Sequence, residues 1–336
     1  MKEILRQLCA DRGVSGNENE MLEIIKKLIP ESAETVVMNN GSIIVSLGDR
    51  HADKHIMLDA HIDRIGLIVT YIDDRGFLCA EPVGGIDLRT LPGSAVRILG
   101  RETVLGVICT MPPHLDKDKV LSKDKIRIDT GLPAEKVREL IEPGDRIILY
   151  SKFTELIGNR VAVSALDNRS GCAVLIRCMR LLENQNLPCR VSFVFSAQEE
   201  TNESGAAAAA FELMPDEAVV IDVGFAAQNG VPEEKSGKLG CGGIISISPV
   251  LSREVTEKLR SIAERLDIKV DYEVCGGSTG TNADKISVCG GGIKTGVISV
   301  PSKNMHTQTE IVETDDIEKV ARLLTAYITE GGAENA

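Results

Sequence analysis

Two adjacent glutamates, Glu199 and Glu200, close the apolar run Val191-Ser-Phe-Val-Phe-Ser-Ala-Gln198. Such a run reads as a buried strand, and paired carboxylates at its tip repel each other and lose hydration unless a cation, hydrogen bonds or solvent stabilises them. Other metal-capable side chains stand in the same relation to strand-like runs. His61 and Asp63 come after His55-Ile-Met-Leu-Asp-Ala, Asp222 after Ala218-Val-Val-Ile, and His306 shortly after Val297-Ile-Ser-Val300. Asp167 completes the candidate set. Imidazole nitrogens mixed with carboxylates suit zinc, cobalt or manganese better than calcium or magnesium, which take oxygen ligands. There are donors enough for two ions, which a bridging carboxylate holds about 3.5–4 Å apart so that they clamp an attacking hydroxide and the developing oxyanion. One acid is then left off the metals as general base.

The elements that must position these residues follow from periodicity. Helical spacing from Lys2 to Ile29, broken near Gly13 to Gly16, predicts two helices, the second opened by a capping box of Asn17 with Glu20. Short strands are expected over 35–37 and 42–47, then over 55–60 leading into His61. From about Gly66 to Gly158, β-like runs at 67–71, 95–99, 104–110 and 146–150 alternate with Gly-Gly, Pro-Gly and Pro-Pro turns, the pattern of a small β-domain. The charged stretch 116–124 within it suits an exposed loop. After Gly158, helices over 168–182, 204–213, 255–266 and 315–328 are interleaved with strands over 191–197, 218–223, 269–274 and 295–300. This alternation predicts an α/β sheet with helices on both faces. Ligands bind beyond the carboxyl ends of such strands, where the candidates stand. The expected division is an α/β catalytic domain built from residues 1–65 and 159–336, with 66–158 inserted as a β-domain.

Composition narrows the function classes. The 336 residues allow two cores, and 43% hydrophobic with 26% charged residues is ordinary for a globular fold. No apolar run approaches the ~18 residues that span a bilayer, and the amphipathic start, Met1 to Cys9, is expected to be a first helix rather than a secretory signal. A net charge of −12 and 3% aromatic residues argue against a nucleic-acid surface. Nine scattered cysteines without a C-x-x-C pair suggest neither a disulfide framework nor a thiolate zinc site, so a reducing cytoplasm is the expected setting. Cys172 and Cys289 are expected to be buried small apolar residues. Absence of tryptophan, and of a carboxylate pair flanked by sugar-stacking aromatics, speaks against glycoside cleavage.

Each candidate has an ordinary use when taken singly: a hydrogen-bonded histidine, a turn cap at Asp222, a helix start at Asp167-Asn168. The order of the motifs reverses those odds. Ala60-His-Ile-Asp63 with Ile65-Gly66, Ala165-Leu-Asp167 with Arg169, Gln198-Glu-Glu200, Ile221-Asp222, and Pro301 with Met305-His306-Thr307 and Glu310 together resemble the tetrahedral aminopeptidases, the glutamyl aminopeptidase family of co-catalytic metallopeptidases. The resemblance runs along nearly the whole chain and takes in the Lys238-Leu-Gly240 region and Gly276-Gly277.

That resemblance implies a three-layer α/β/α catalytic domain of the zinc-exopeptidase type, with a mixed sheet and an inserted β-barrel-like domain used in oligomer assembly, dimers building a dodecamer. It implies that His61 and Asp222 hold one divalent ion, Glu200 and His306 the other, and that Asp167 bridges them. Asp63 orients His61, and Glu199 takes a proton from the metal-bound water and returns it to the leaving amine. The implied activity is removal of residues from peptides with a free N-terminus, with two ions per chain, zinc or cobalt first and manganese next. The sequence departs from the family pattern at Arg64 and Asn168, where acids are usual, and at Asn282, where an aspartate is usual. If the chain is extended over 62–64, Arg64 points away from His61 and Asp63. Two other outcomes are compatible with these motifs: a related amidohydrolase or deacylase, and a metal-binding assembly protein whose catalysis the departures have impaired. No nucleic-acid or membrane partner is expected.

Overall fold

The computed structural model describes residues 1–330 apart from 11, 32, 113 and 116–120. Its organising element is a mixed sheet whose strands run, edge to edge, Glu34–Val37, Ile43–Leu47, Arg190–Ser196, His55–His61, Glu217–Phe225, Lys294–Lys303, Glu310–Glu313, Arg160–Val163 and Thr154–Glu155. Ile244–Ile247 pairs with Lys294–Lys303 and carries Asp271–Val274 beside it. The four middle strands of this order, from Arg190–Ser196 to Lys294–Lys303, are mutually parallel. They are rich in valine and isoleucine and almost wholly buried, as strands covered on both faces must be. Register places Ser196 opposite His61 and Asp222 opposite Ser299, so the carboxyl ends of these strands share one edge of the sheet.

Helices cover both faces. On one side Lys2–Leu8, Leu22–Leu28, Leu166–Leu182, Arg253–Arg265 and Thr314–Glu330 pack Leu5, Leu175, Leu259 and Leu324 into a core shared with Phe193, Phe195 and Ile221. Burial of each large side chain there stabilises the fold by about 1.5–3 kcal/mol. On the other side the alanine-rich helix Ser204–Leu213 and the short Ala283–Ile286 meet Met57, Val194 and Val220. Small residues allow that helix to lie close: a Cβ at Gly205 would meet the carbonyl oxygen of Ala197 at 2.0 Å.

The inserted segment closes into a barrel, Gly66–Ile72, Leu78–Val83, Arg127–Asp129, Thr103–Ile108, Ala95–Leu99 and Arg146–Leu149. Its core is separate, built from Leu67, Leu78, Val96, Ile98, Ile128 and Ile147. The helix Ala134–Leu140, whose Val137 enters that core, and the strands Leu78–Val83 and Arg127–Asp129 were not expected from the pattern; each is too short or too polar for periodicity to register. Of the expected loop over 116–124, residues 116–120 lie outside the described residues, and Lys123–Lys125 forms a single 3₁₀ turn.

The capping box at Asn17 and Glu20 is not formed. The second helix begins at Leu22 behind a 3₁₀ turn over Asn19–Met21, with no side-chain cap, and the acid that does accept backbone N–H groups here is Glu18. Cys172 is buried as expected, whereas Cys289 is half-buried.

Candidate metal centre

All seven residues singled out from the sequence converge on one cavity or its wall. His61 ends the strand His55–His61 and Asp63 follows it; Asp222 lies inside Glu217–Phe225; Asp167 opens Leu166–Leu182. Glu199 and Glu200 form the first turn of a four-residue helix directly after Arg190–Ser196. The turn is sharp because Gln198 is left-handed, with φ of 60°, and His306 sits in a comparable bend with φ of 61°. Non-glycine residues reach this region only when their surroundings hold them there.

The carboxylate of Asp167 faces both imidazoles. Its Oδ1 is 3.2 Å from His61 Nε2 and its Oδ2 is 3.3 Å from His306 Nε2. Asp222 Oδ1 lies 3.6 Å and Glu199 Oε2 3.7 Å from the same His61 nitrogen, while Glu200 Oε2 lies 3.4 Å from His306 Nε2. Two groups of donor atoms, one from His61, Glu199 and Asp222 and one from Asp167, Glu200 and His306, each lie within 4.8 Å of one another. Asp63 Oδ1 stands 3.3 Å from His61 Nδ1, and the carbonyl of Gly85 accepts from His306 Nδ1 at 2.8 Å, which turns both Nε2 atoms toward the carboxylates.

The residues fit a pair of cations. His61 Nε2 and Glu200 Oε1 are buried and meet no protein hydrogen-bond partner, which is costly unless another group satisfies them. The electrostatics say the same. Burial, with the charges of Asp222, Asp167 and Asp63 behind it, pushes Glu199 up to about 8 against the pull of His61. Burial and Asp167 raise Glu200 well above the carboxylate range. His306 is driven up to about 10, because hydrogen bonding to Asp167 and the charge of Glu200 outweigh the burial that opposes its proton. A cavity that strains Glu199 and Glu200 toward neutrality, while two imidazoles are drawn toward charge by the ionised Asp167 between them, is short of positive charge.

Second-layer groups hold the ligands in place. Glu310 is buried, its Oε2 accepting from Asp167 N at 2.9 Å and its Oε1 from His306 N at 3.1 Å. Asp63 accepts from Glu199 N at 3.0 Å and from Glu200 N at 3.1 Å. Neither backbone role was foreseen from the sequence, and Gly85 was seen only as part of a turn. A side chain at Gly85 would run into His306, whose Nδ1 is 3.0 Å from an ideal Cβ.

The three departures engage this layer rather than the donor atoms. Arg64 is buried, donates to Ser164 Oγ at 2.8 Å, and its charge helps offset the burial and the Asp167 charge that push Glu310 up to about 8. Asn168 donates to Ile221 O at 2.7 Å and accepts from Gly171 N at 3.0 Å. Asn282 donates to Asp59 Oδ2 at 2.8 Å and to Ser196 Oγ at 2.9 Å. The cavity itself, about 390 Å³, is lined further by Glu203, Val223, Phe225, Glu273 and Thr279–Thr281.

Strand ends and one barrel loop meeting around room for two cations place the chain among the metal-dependent hydrolases. Within that class it belongs to the M42 glutamyl aminopeptidase family, whose model matches residues 41–323. It is 28% identical to the lysyl aminopeptidase of Pyrococcus furiosus over 98% of this chain and 96% of that protein. Among solved structures it resembles an aminopeptidase from the archaeon Desulfurococcus kamchatkensis, with a TM-score of 0.90 and 31% identity, covering 98% of this chain and 94% of that one. The Pyrococcus horikoshii TET1 peptidase, which can assemble into a tetrahedron or a large octahedral shell, superposes with a TM-score of 0.87 at 34% identity over 98% and 99% of the two chains. The mixed α/β catalytic domain with its inserted closed barrel is the fold of this family, and the chain is a metal-dependent aminopeptidase with two metal-binding sites. Among the described residues no helix is long and apolar enough to cross a membrane.

Proposed function

We propose that this aminopeptidase hydrolyses the first peptide bond of chains with a free N-terminus, with Glu199 as general base. His61 and Asp222 would hold one divalent ion, Glu200 and His306 the other, and Asp167 both. Bound there, zinc or cobalt, with manganese as third choice, supplies the positive charge that acidifies a water and stabilises a developing oxyanion. The observation that carries this reading is the single carboxylate of Asp167 set between two imidazoles, 3.2 and 3.3 Å away. Glu199 takes the proton from the attacking water and returns it to the leaving amine. Asp63 holds the His61 ring and the amides of Glu199 and Glu200, and Glu310 holds the amides of Asp167 and His306.

The cavity also favours a cationic first side chain. Beyond the ligand candidates and Glu199 its lining includes Glu203 and Glu273 but neither lysine nor arginine. Lys285 and Lys235, which act on these two acids from nearby, are not among the lining residues. The lysyl specificity of the P. furiosus relative is consistent with this preference.

The catalytic unit comprises residues 1–65 and 159–336, and 66–158 serves assembly and access. Tyr71, Leu105, Val107, Met111 and Leu115 leave apolar surface exposed on and beside the barrel, and the assembling P. horikoshii relative supports a homo-oligomer, dimers forming a dodecamer, in the cytoplasm.

Glu199→Gln tests the mechanism. Turnover of aminoacyl amides should fall by about 10²–10⁴-fold, while elemental analysis still finds two metals per chain. Loss of metal instead would show that Glu199 is a ligand. Hydrolysis confined to N-acylated substrates would make the protein a deacylase.

A further inference from the structure

The segment between the first two helices reaches the turn that carries Glu199 and Glu200. Val14 forms a parallel bridge with Arg64, and Ser15 N donates to Arg64 O at 3.1 Å, so this segment is laid against the chain just beyond Asp63. The Ser15 hydroxyl lies 3.2 Å from Thr201 Oγ1 and also hydrogen-bonds Asp63. Glu18 is only 3% exposed, and its Oε1 accepts from Gly16 N at 2.7 Å and from Gln198 N at 3.1 Å.

Three consecutive amides are therefore held by two buried carboxylates. Glu18 takes Gln198 N, and Asp63 takes Glu199 N and Glu200 N. Gln198 is the residue that needs holding, because its left-handed backbone turns the strand into the short helix. A freed Gln198 amide would be part-buried without a partner, and relaxing φ there would swing the Glu199 carboxylate off its line to the cavity. Residues 14–18 precede the stretch matched by the family model.

We propose that Glu18 is a positioning residue for the reaction: as a buried acceptor it fixes the turn at Gln198, and with Ser15 it aims Glu199. The proposal rests on the assignment of Glu199 as base.

The test uses the full chain loaded with zinc or cobalt, with Glu18→Ala, Glu18→Gln, Ser15→Ala and, as a control for stability, Met21→Ala from the same segment. Steady-state kinetics on an aminoacyl p-nitroanilide, metal content, and hydrogen exchange of the peptide spanning 194–205 are read together. Glu18→Ala should lower kcat by about 10–100-fold with KM little changed, full metal content, and faster exchange in that peptide. Glu18→Gln, whose amide oxygen can accept the same two N–H groups, should recover most of the loss, and Met21→Ala should lose thermal stability but not kcat. Wild-type kcat or unchanged exchange in Glu18→Ala overturns the proposal, as does a glutamine variant no better than alanine. If Glu18→Ala does not fold, Ser15→Ala carries the test: a several-fold loss of kcat is expected, and none overturns it. Wild-type protein with no hydrolysis at all would defeat the assignment of Glu199, while the exchange experiment would still report on the grip of Glu18.

Discussion

Replacing Asp63 with asparagine probes how one carboxylate serves both the first imidazole and the Glu199 turn. Asp63 is fully buried. Its Oδ1 accepts from Glu199 N at 3.0 Å and stands 3.3 Å from His61 Nδ1, and its Oδ2 accepts from Glu200 N at 3.1 Å. Asparagine keeps the volume but offers one acceptor and one NH₂. With the oxygen left at the Oδ1 position, the NH₂ faces the amide of Glu200, so two donors meet with no acceptor between them. One hydrogen bond to a charged acceptor, about 1.5–3 kcal/mol, is lost, and a buried donor is left unmet. Because Glu200 is a ligand candidate and His61 loses a charged partner, the loss is felt where the metals bind. At about 1.4 kcal/mol per decade it corresponds to roughly 10–100-fold weaker metal binding. The assay is competition for zinc between metal-free protein and a chromogenic chelator, with circular dichroism to confirm folding. Wild-type zinc affinity in a folded Asp63→Asn variant would refute the reasoning, since the two amides and the imidazole would then not depend on the charge of that carboxylate.

Glu273→Gln should reduce the preference for lysyl and arginyl over leucyl amides by about ten-fold, with leucyl turnover unchanged; equal loss on every substrate in the panel would remove Glu273 from specificity. Asn282→Asp should lower stability by about 2 kcal/mol or more, because it sets a second buried acid against Asp59 in place of an amide donor. Adding Asp59→Asn to that variant should restore most of the loss in a double-mutant cycle, and simple additivity would count against the pairing. His55 gives a pH signature: burial, reinforced by the Arg190 charge, lowers its imidazole to about 4, so the folded state binds fewer protons than the unfolded one. Its stabilising contribution is full above the unfolded value near pH 6.5 and is lost as pH falls from there toward 4, about 2 kcal/mol by pH 5. The melting temperature of His55→Gln should therefore fall less between pH 7 and pH 5 than that of the wild type, and parallel curves would contradict this.

What could be read from the sequence was what periodicity and strand ends reveal. His61, Asp222 and the Glu199-Glu200 pair stand at or beside the carboxyl ends of apolar runs, and parallel pairing brings those ends together. The helix Ser204–Leu213 was expected over those same residues, since its run of alanines leaves little else to form. The groups that tune the site were harder to see. Glu18, Gly85 and Glu310 act by accepting hydrogen bonds from backbone or ring nitrogens of residues distant in sequence, and such contacts leave no periodic trace. Asn17 with Glu20 has the spacing of a capping box, but Glu18 accepts the nearby Gly16 amide together with that of Gln198, so the local signal yielded to a tertiary one.

The same distinction explains why unusual residues close to the centre need not disable it. An acid exchanged for arginine at position 64, seen only as sequence, removes a negative charge three residues after the end of a ligand-bearing strand. In the fold the charge of that arginine acts on Glu310, a buried carboxyl already pushed up by burial and by Asp167, and it makes it easier for Glu310 to ionise and to hold the amides of Asp167 and His306. Asn282 likewise stands beside Asp59, whose carboxyl burial pushes up to about 7 while the hydrogen bonds from Asn282 and Ser196 draw it back. Two acids in that position would have to share a proton; an acid and an amide need not. Arg64 and Asn282 are thus each matched by an acid of opposite character, Asn168 is satisfied by backbone groups, and the carboxylates and imidazoles that face the cavity are left as the two-metal chemistry requires them.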